Sequence, residues 1–255
     1  MAAHAGYNAL VKTTLTYIGV VTELNNSRKF MEYFQLYRPE PPRLHADDMT
    51  NPFTIVSRCR VAGHLSVRRM DNPTLQVKNN KRDQLMIWLH TGPVVVIHSE
   101  LLAAFECHGL TGYRSRSATV HFRDGTVSKD YSQLIVVGWA GVARPESGIR
   151  LLEKCPGCGV RRYSGMDNAE ELIDWNQWSG EDFFLVWPLP ELILVTARVA
   201  ELLAILKTKS YRLGSLRMYE NRNLPPTYQG FTVDRLSRYM PEDVAEKYGK
   251  PLGLE

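Results

Sequence analysis

The sequence predicts an α+β protein of two pseudo-repeated halves, each a small sheet with a packed helix, with a cysteine knuckle before each. Three observations carry this. Two apolar segments share one order of punctuation: DQLMIW (Asp83 to Trp88) then PVVVIHS, and DFFLVW (Asp182 to Trp187) then PELILVT. A helical pattern follows each, ELLAAFECHG and ARVAELLAIL. A Cys–Gly turn precedes each, CRVAGH and CPGCG. Matching punctuation in one order is the mark of an internal repeat.

The elements follow in order. Residues 1–28 form an N-terminal extension, in which Leu15, Ile18 and Thr22 fit a helix while the Thr/Val/Ile content favours a strand. Residues 29–148 form the first half and 149–220 the second, which holds the CPGCG knuckle; the two make one compact unit. The Val/Ile/Leu runs read as buried strands. Ser99 and Thr196 are positioned as helix N-caps, because a side-chain oxygen accepts from an unpaired amide there. Leu101, Leu102 and Phe105, and Val199, Leu202, Leu203 and Leu206, lie at helical spacing. Gly109 ends the first helix. ATVHF and SLRMY then alternate as strands. In the C-terminal tail, 221–255, Pro225-Pro226 reads as a linker. Pro241, Glu242 and Asp243 open a short helix that Gly249 and Pro251 close.

Bulk properties narrow the class. A chain of 255 residues can bury a substantial core, and a net charge of +4 does not by itself indicate nucleic acid. Four cysteines are too few for a disulfide scaffold of this length. The apolar run Thr14 to Thr22 is too short to span a bilayer, and no charged segment precedes it, so a cytoplasmic protein is expected, with no membrane partner.

The chemistry concentrates in the two turns. Aligned on each other, Cys59 matches Cys155 and Gly63 matches Gly159; Ala62 replaces Cys158, and His64 follows. Zinc accepts a tetrahedral Cys/His set. The expected cofactor is therefore one structural zinc held by Cys59, His64, Cys155 and Cys158. The alternative is a buried Cys59, a surface His64 and a metal-free CPGCG. Cys107, inside the first helix, reads as a core residue.

CPGCG, DFFLVW and PELILVTARVAELL together resemble the second half of the myxobacterial double-CXXCG motif proteins. GPVVVIHSELLAAFECHGLTGYRSRSATVHF is similar to the region before their second motif, and KFMEYFQLYRPEP to their N-terminal start. The resemblance spans roughly Lys29 to Glu220. It implies a bacterial immunity protein that neutralises a cognate toxin by binding. The first motif departs from the pattern as CRVAG, which breaks a four-cysteine site.

Tyr163 to Ala197 contains no Lys or Arg. Its Asp167, Glu170, Glu171, Asp174, Glu181 and Asp182, with Trp175 and Trp178, form the candidate partner-binding surface, against the alternative of a solvated face with packed tryptophans. Arg58, Arg60, Arg68, Arg69, Lys78, Lys81 and Arg82 surround the first turn. They support the alternative function, a zinc-ribbon-like nucleic-acid-binding or regulatory protein. No phosphate loop, HExxH or GxSxG occurs, and His90, His98, His108 and His121 form no recognisable set, so a non-catalytic protein is expected.

Overall fold

The computed structural model describes residues 32–39, 45–48, 53–69, 73–77, 84–89, 94–225 and 230–255. All belong to the compact unit Glu32–Glu255. The expectations for residues 1–28, for His90 and for Lys78, Lys81 and Arg82 lie outside the described residues. So does Pro226 of the predicted linker.

The protein is α+β. Strands β1 (Tyr33–Tyr37), β2 (His45–Asp48), β3 (Phe53–Arg58), β4 (Leu65–Arg69), β5 (Thr74–Val77), β6 (Met86–Leu89) and β7 (Val95–His98) lead to helix α1 (Ser99–Cys107). Then come β8 (Tyr113–Phe122), β9 (Val127–Val136), β10 (Gly138–Val142), β11 (Leu151–Lys154), β12 (Arg161–Tyr163), β13 (Phe183–Trp187) and β14 (Ile193–Thr196). Helix α2 (Ala197–Ile205), β15 (Arg212–Gly214), β16 (Phe231–Val233) and helix α3 (Glu242–Tyr248) complete the chain.

These strands form a closed barrel, β2-β5-β8-β9-β7-β6, and an open sheet, β10-β13-β14-β1-β15. A small sheet, β11-β12-β16, and a hairpin, β3-β4, carry the cysteine turns. The order strand, strand, helix, strand occurs at β6-β7-α1-β8 and again at β13-β14-α2-β15. The first set belongs to the barrel and the second to the open sheet. The open sheet also takes β1 and β10 from before residue 149, so the two segments share one framework.

Alternation along β13 shows why the sheet is buried. Phe183, Leu185 and Trp187 enter a core shared with the barrel's outer face (Met86, Trp88, Val95, Ile97) and all three helices. Phe184 and Val186 enter a second core with Met166, Leu172 and Ile173. A strand covered on both faces reads as an unbroken apolar run. The barrel interior is filled by Leu75, Val77, Ile87, Val96, Val120 and Phe122.

Helix ends correct two local expectations. The residue capping α1 is His98, whose Nδ1 accepts from the Glu100 amide at 3.3 Å; Ser99 is the first helical residue. Thr196 holds the cap position of α2, but its hydroxyl donates to Asp182 instead. Gly109 does stop α1: at φ +59° it directs its own amide to Glu106 and that of Leu110 to Phe105. SLRMY is not a strand. Ser215 accepts from the Arg217 amide and turns Leu216–Tyr219 into a 3-10 helix.

The tail docks on the body. β16 pairs antiparallel with β12, Leu236 and Leu254 join the main core, and Tyr248 stacks on Trp139 at 5.9 Å. Arg114 donates twice to Asp243, at 2.9 and 2.6 Å.

Candidate metal centre

Each cysteine turn closes a hairpin: residues 59–64 join β3 to β4, and 155–160 join β11 to β12. Their backbones match bond for bond. The Cys59 amide donates to the His64 carbonyl at 2.7 Å, and the Gly63 amide to the Cys59 carbonyl at 2.9 Å. The Cys155 amide donates to the Val160 carbonyl at 2.8 Å, and the Gly159 amide to the Cys155 carbonyl at 2.9 Å. Gly63 and Gly159 take φ of +70° and +78°, a region that disfavours any residue with a Cβ.

The two turns meet. Cys59 Sγ lies 3.7 Å from Cys155 Sγ, 96 residues away in sequence. His64 Nδ1 lies 3.3 Å from Cys158 Sγ. The four ligand atoms all fall within 4.8 Å of one another, so the cluster can hold one metal ion. Tetrahedral bonds of roughly 2.3 Å to sulfur and 2.0–2.1 Å to nitrogen imply ligand–ligand edges of about 3.5–3.8 Å. The two close pairs match such an edge to within a few tenths of an ångström. Cys59 and Cys155 are buried, while His64 and Cys158 are half-buried.

One further residue lets the turns close. A Cβ on Gly157 would come within 2.7 Å of Val61 Cγ2 and 3.0 Å of Cys59 Sγ. Unlike Gly63 and Gly159, which end the turns, Gly157 has no counterpart glycine in CRVAGH to mark it. Its only signal was its place between the two cysteines of CPGC.

The thiols are not equivalent. The Ala62 amide, aided by that of Val61, lowers the Cys59 thiol to about 7 against the opposing effect of burial. Burial raises the Cys158 thiol to about 11. Cys59 therefore ionises well before Cys158, and a dication would draw the thiols it binds into the thiolate form. Cys107 takes no part: it sits exposed at the last turn of α1, which corrects its reading as a core residue.

The acidic segment is largely engaged within the chain. Asp182 is buried; it accepts from Thr196, from the Thr111 amide and hydroxyl, and from Arg198 at 2.9 Å. Glu170 pairs with Arg217, Glu171 with Arg144 at 2.5 Å, and Asp167 accepts from Asn221. Asp174 accepts from Gln177 and from Asn176, and these bonds, Gln177 first, lower its carboxyl. Glu181 accepts from Ser179, while burial raises its carboxyl. Trp175 and Trp178 meet edge to face at 5.6 Å and roof the second core, Trp178 against Phe184. Asp182 thus faces inward.

Arg58 and Arg60 are exposed on either side of Cys59, and Arg68 and Arg69 lie on β4. His98 caps α1, exposed His108 contacts the Ala104 carbonyl, and His121 lies half-buried on β8. Among the described residues, no helix is long and apolar enough to cross a membrane. Compared with known proteins, the chain matches no family model and no curated protein.

Proposed function

We propose that this chain is a non-catalytic, immunity-type protein of the bacterial cytoplasm that binds and neutralises a cognate toxin, and that one structural zinc holds its two cysteine hairpins together. One observation carries the reading: two turns 96 residues apart have the same hydrogen bonds and deliver their ligands to one point. That is the arrangement expected of a duplicated Cys–Gly motif in which one copy has exchanged a thiol for His64. It fits the double-CXXCG resemblance, and the repeated order of strands and helix supports a duplication of the whole segment. A closed set of three Cys and one His favours zinc in a structural role, with no ligand position left for substrate.

The test is growth rescue. Each large secreted protein encoded beside this gene is expressed, as a candidate toxin, in a bacterial host with and without this protein. Restored growth and a one-to-one complex are expected. Continued killing by the toxin, with this protein folded and metal-loaded, overturns the reading.

The exposed Arg58 and Arg60 beside a metal ligand favour a second reading, a zinc-ribbon-like nucleic-acid binder or regulator. Affinity for DNA or RNA that falls steeply with salt would establish it instead.

A further inference from the structure

Strand β11 lies at the edge of its sheet and pairs only with β12 among the described strands. All four of its residues, LLEK, are exposed. Leu151 is 50% and Leu152 53% exposed. Eight large apolar side chains are exposed among the described residues, and four of them (Val61, Leu65, Leu151 and Leu152) lie in or beside the two metal-site hairpins. Proteins usually blunt a free edge, because unpaired amides and carbonyls there template another strand. Here the edge carries two exposed leucines, Leu151 and Leu152, and one acid between two exposed cations, Arg150 before it and Lys154 closing it. The central acid, Glu153, is already paired with Arg162 at 3.5 Å. Arg58 and Arg60, beside Cys59, extend the positive field.

We infer that the outer edge of β11 is a docking site for an extended protein segment, apolar in its centre and flanked by carboxylates, which adds to the sheet as a further strand. The inference rests on the partner-binding reading above and relocates its interface from the acidic segment to the metal-site hairpins. Backbone pairing supplies the affinity in such an addition, and the side chains supply selectivity. The charges choose among occupants. A second copy laid antiparallel on this edge brings Arg150 against Lys154 at both ends, and opposed like charges are unfavourable. Nucleic acid gains nothing from two exposed leucines, and the strand has no aromatic residue on which a base could stack. A carboxylate-flanked apolar strand satisfies both features. Cys155 follows Lys154 directly, so a metal fixes the end of the edge before a partner arrives, which lowers the ordering cost of binding.

The probe is a capped synthetic peptide, Glu-Thr-Val-Val-Thr-Glu, beside its counterpart with Lys at both ends. Each is titrated into the isotope-labelled, zinc-loaded full chain while amide shifts are followed. The expected result is shifts centred on residues 150–154 and affinity for the acidic peptide at least about tenfold above that for the basic one. The double charge reversal Arg150→Glu, Lys154→Glu should invert the preference, and Leu152→Asp should abolish binding without changing the melting temperature. Shifts elsewhere, equal affinity for both peptides, self-association through β11, or loss of single-stranded DNA binding in these same variants would overturn the inference. Growth rescue and peptide binding are separate readouts, so failure of one is not mistaken for failure of the other.

Discussion

Gly157 and Gly159 lie two residues apart and do different work. Gly159 needs no space but holds a positive φ, whereas Gly157 needs space because Val61 and Cys59 Sγ close over it. Gly157→Ala should therefore cost about 1–3 kcal/mol through overpacking and weaken metal retention with it. Gly159→Ala should cost about 1–2 kcal/mol through backbone strain alone. Melting curves with and without chelator separate the two effects. The ligands have their own signature. His64→Ala should weaken metal binding by more than the roughly 10–100-fold that loss of a hydrogen-bonding neighbour costs such a site, as read by competition with a chromogenic chelator. In the metal-free protein, Cys59 should ionise as pH rises through about 7, while Cys158 stays protonated until about 11. Because the Cys59 value is depressed in the folded state, its contribution to stability is complete above the ordinary thiol value and is lost as pH falls through about 7. Thiolate absorbance and melting curves across that range check both statements. At this scale the candidate ligands were legible, because a cysteine, a glycine four residues on and a following histidine are local facts. The role of Asp182 was not. Its charge is visible in sequence, but its four bonds come from Thr196, Thr111 and Arg198, up to 71 residues away.

At the level of elements, periodicity located what is local and missed what is not. The helix after each apolar run and the Gly109 stop follow from spacing and backbone preference. The 3-10 turn at Leu216–Tyr219 escaped because a serine that bonds its own backbone competes with a strand, and alternation alone does not register that. The tail shows the same division. Its helix was readable from Pro241 and Gly249, but its place in the main core depends on β12 and Trp139. Leu236 is fully buried there, so Leu236→Ala should destabilise the whole molecule by about 2–5 kcal/mol, measured by denaturant unfolding. An effect near zero would mean that the tail is a detachable arm rather than part of the body. Asp182→Ala should cost about 1–3 kcal/mol, because it leaves the Thr196 hydroxyl and the Thr111 amide without their acceptor at a buried position, while exposed Arg198 turns to water.

For the molecule as a whole, the barrel and the open sheet share a core, while the cysteine hairpins depend on small sheets of two and three strands. Small sheets have little apolar surface to hold them, and a bound metal supplies folding energy where a core cannot. Barrel closure was not legible, because it joins β2 to β6 and β5 to β8 in parallel, pairings that no local pattern specifies. The meeting of the two turns was legible, because the repeated motif implied a partner for CPGCG. The central claim, one structural zinc joining the hairpins, is tested most directly by elemental analysis of the purified protein beside the double variant Cys155→Ala, Cys158→Ala. The account predicts one zinc per chain in the native protein, absent from the variant, with a lower melting temperature. A well-folded native protein with no metal, indifferent to both substitutions, would contradict it.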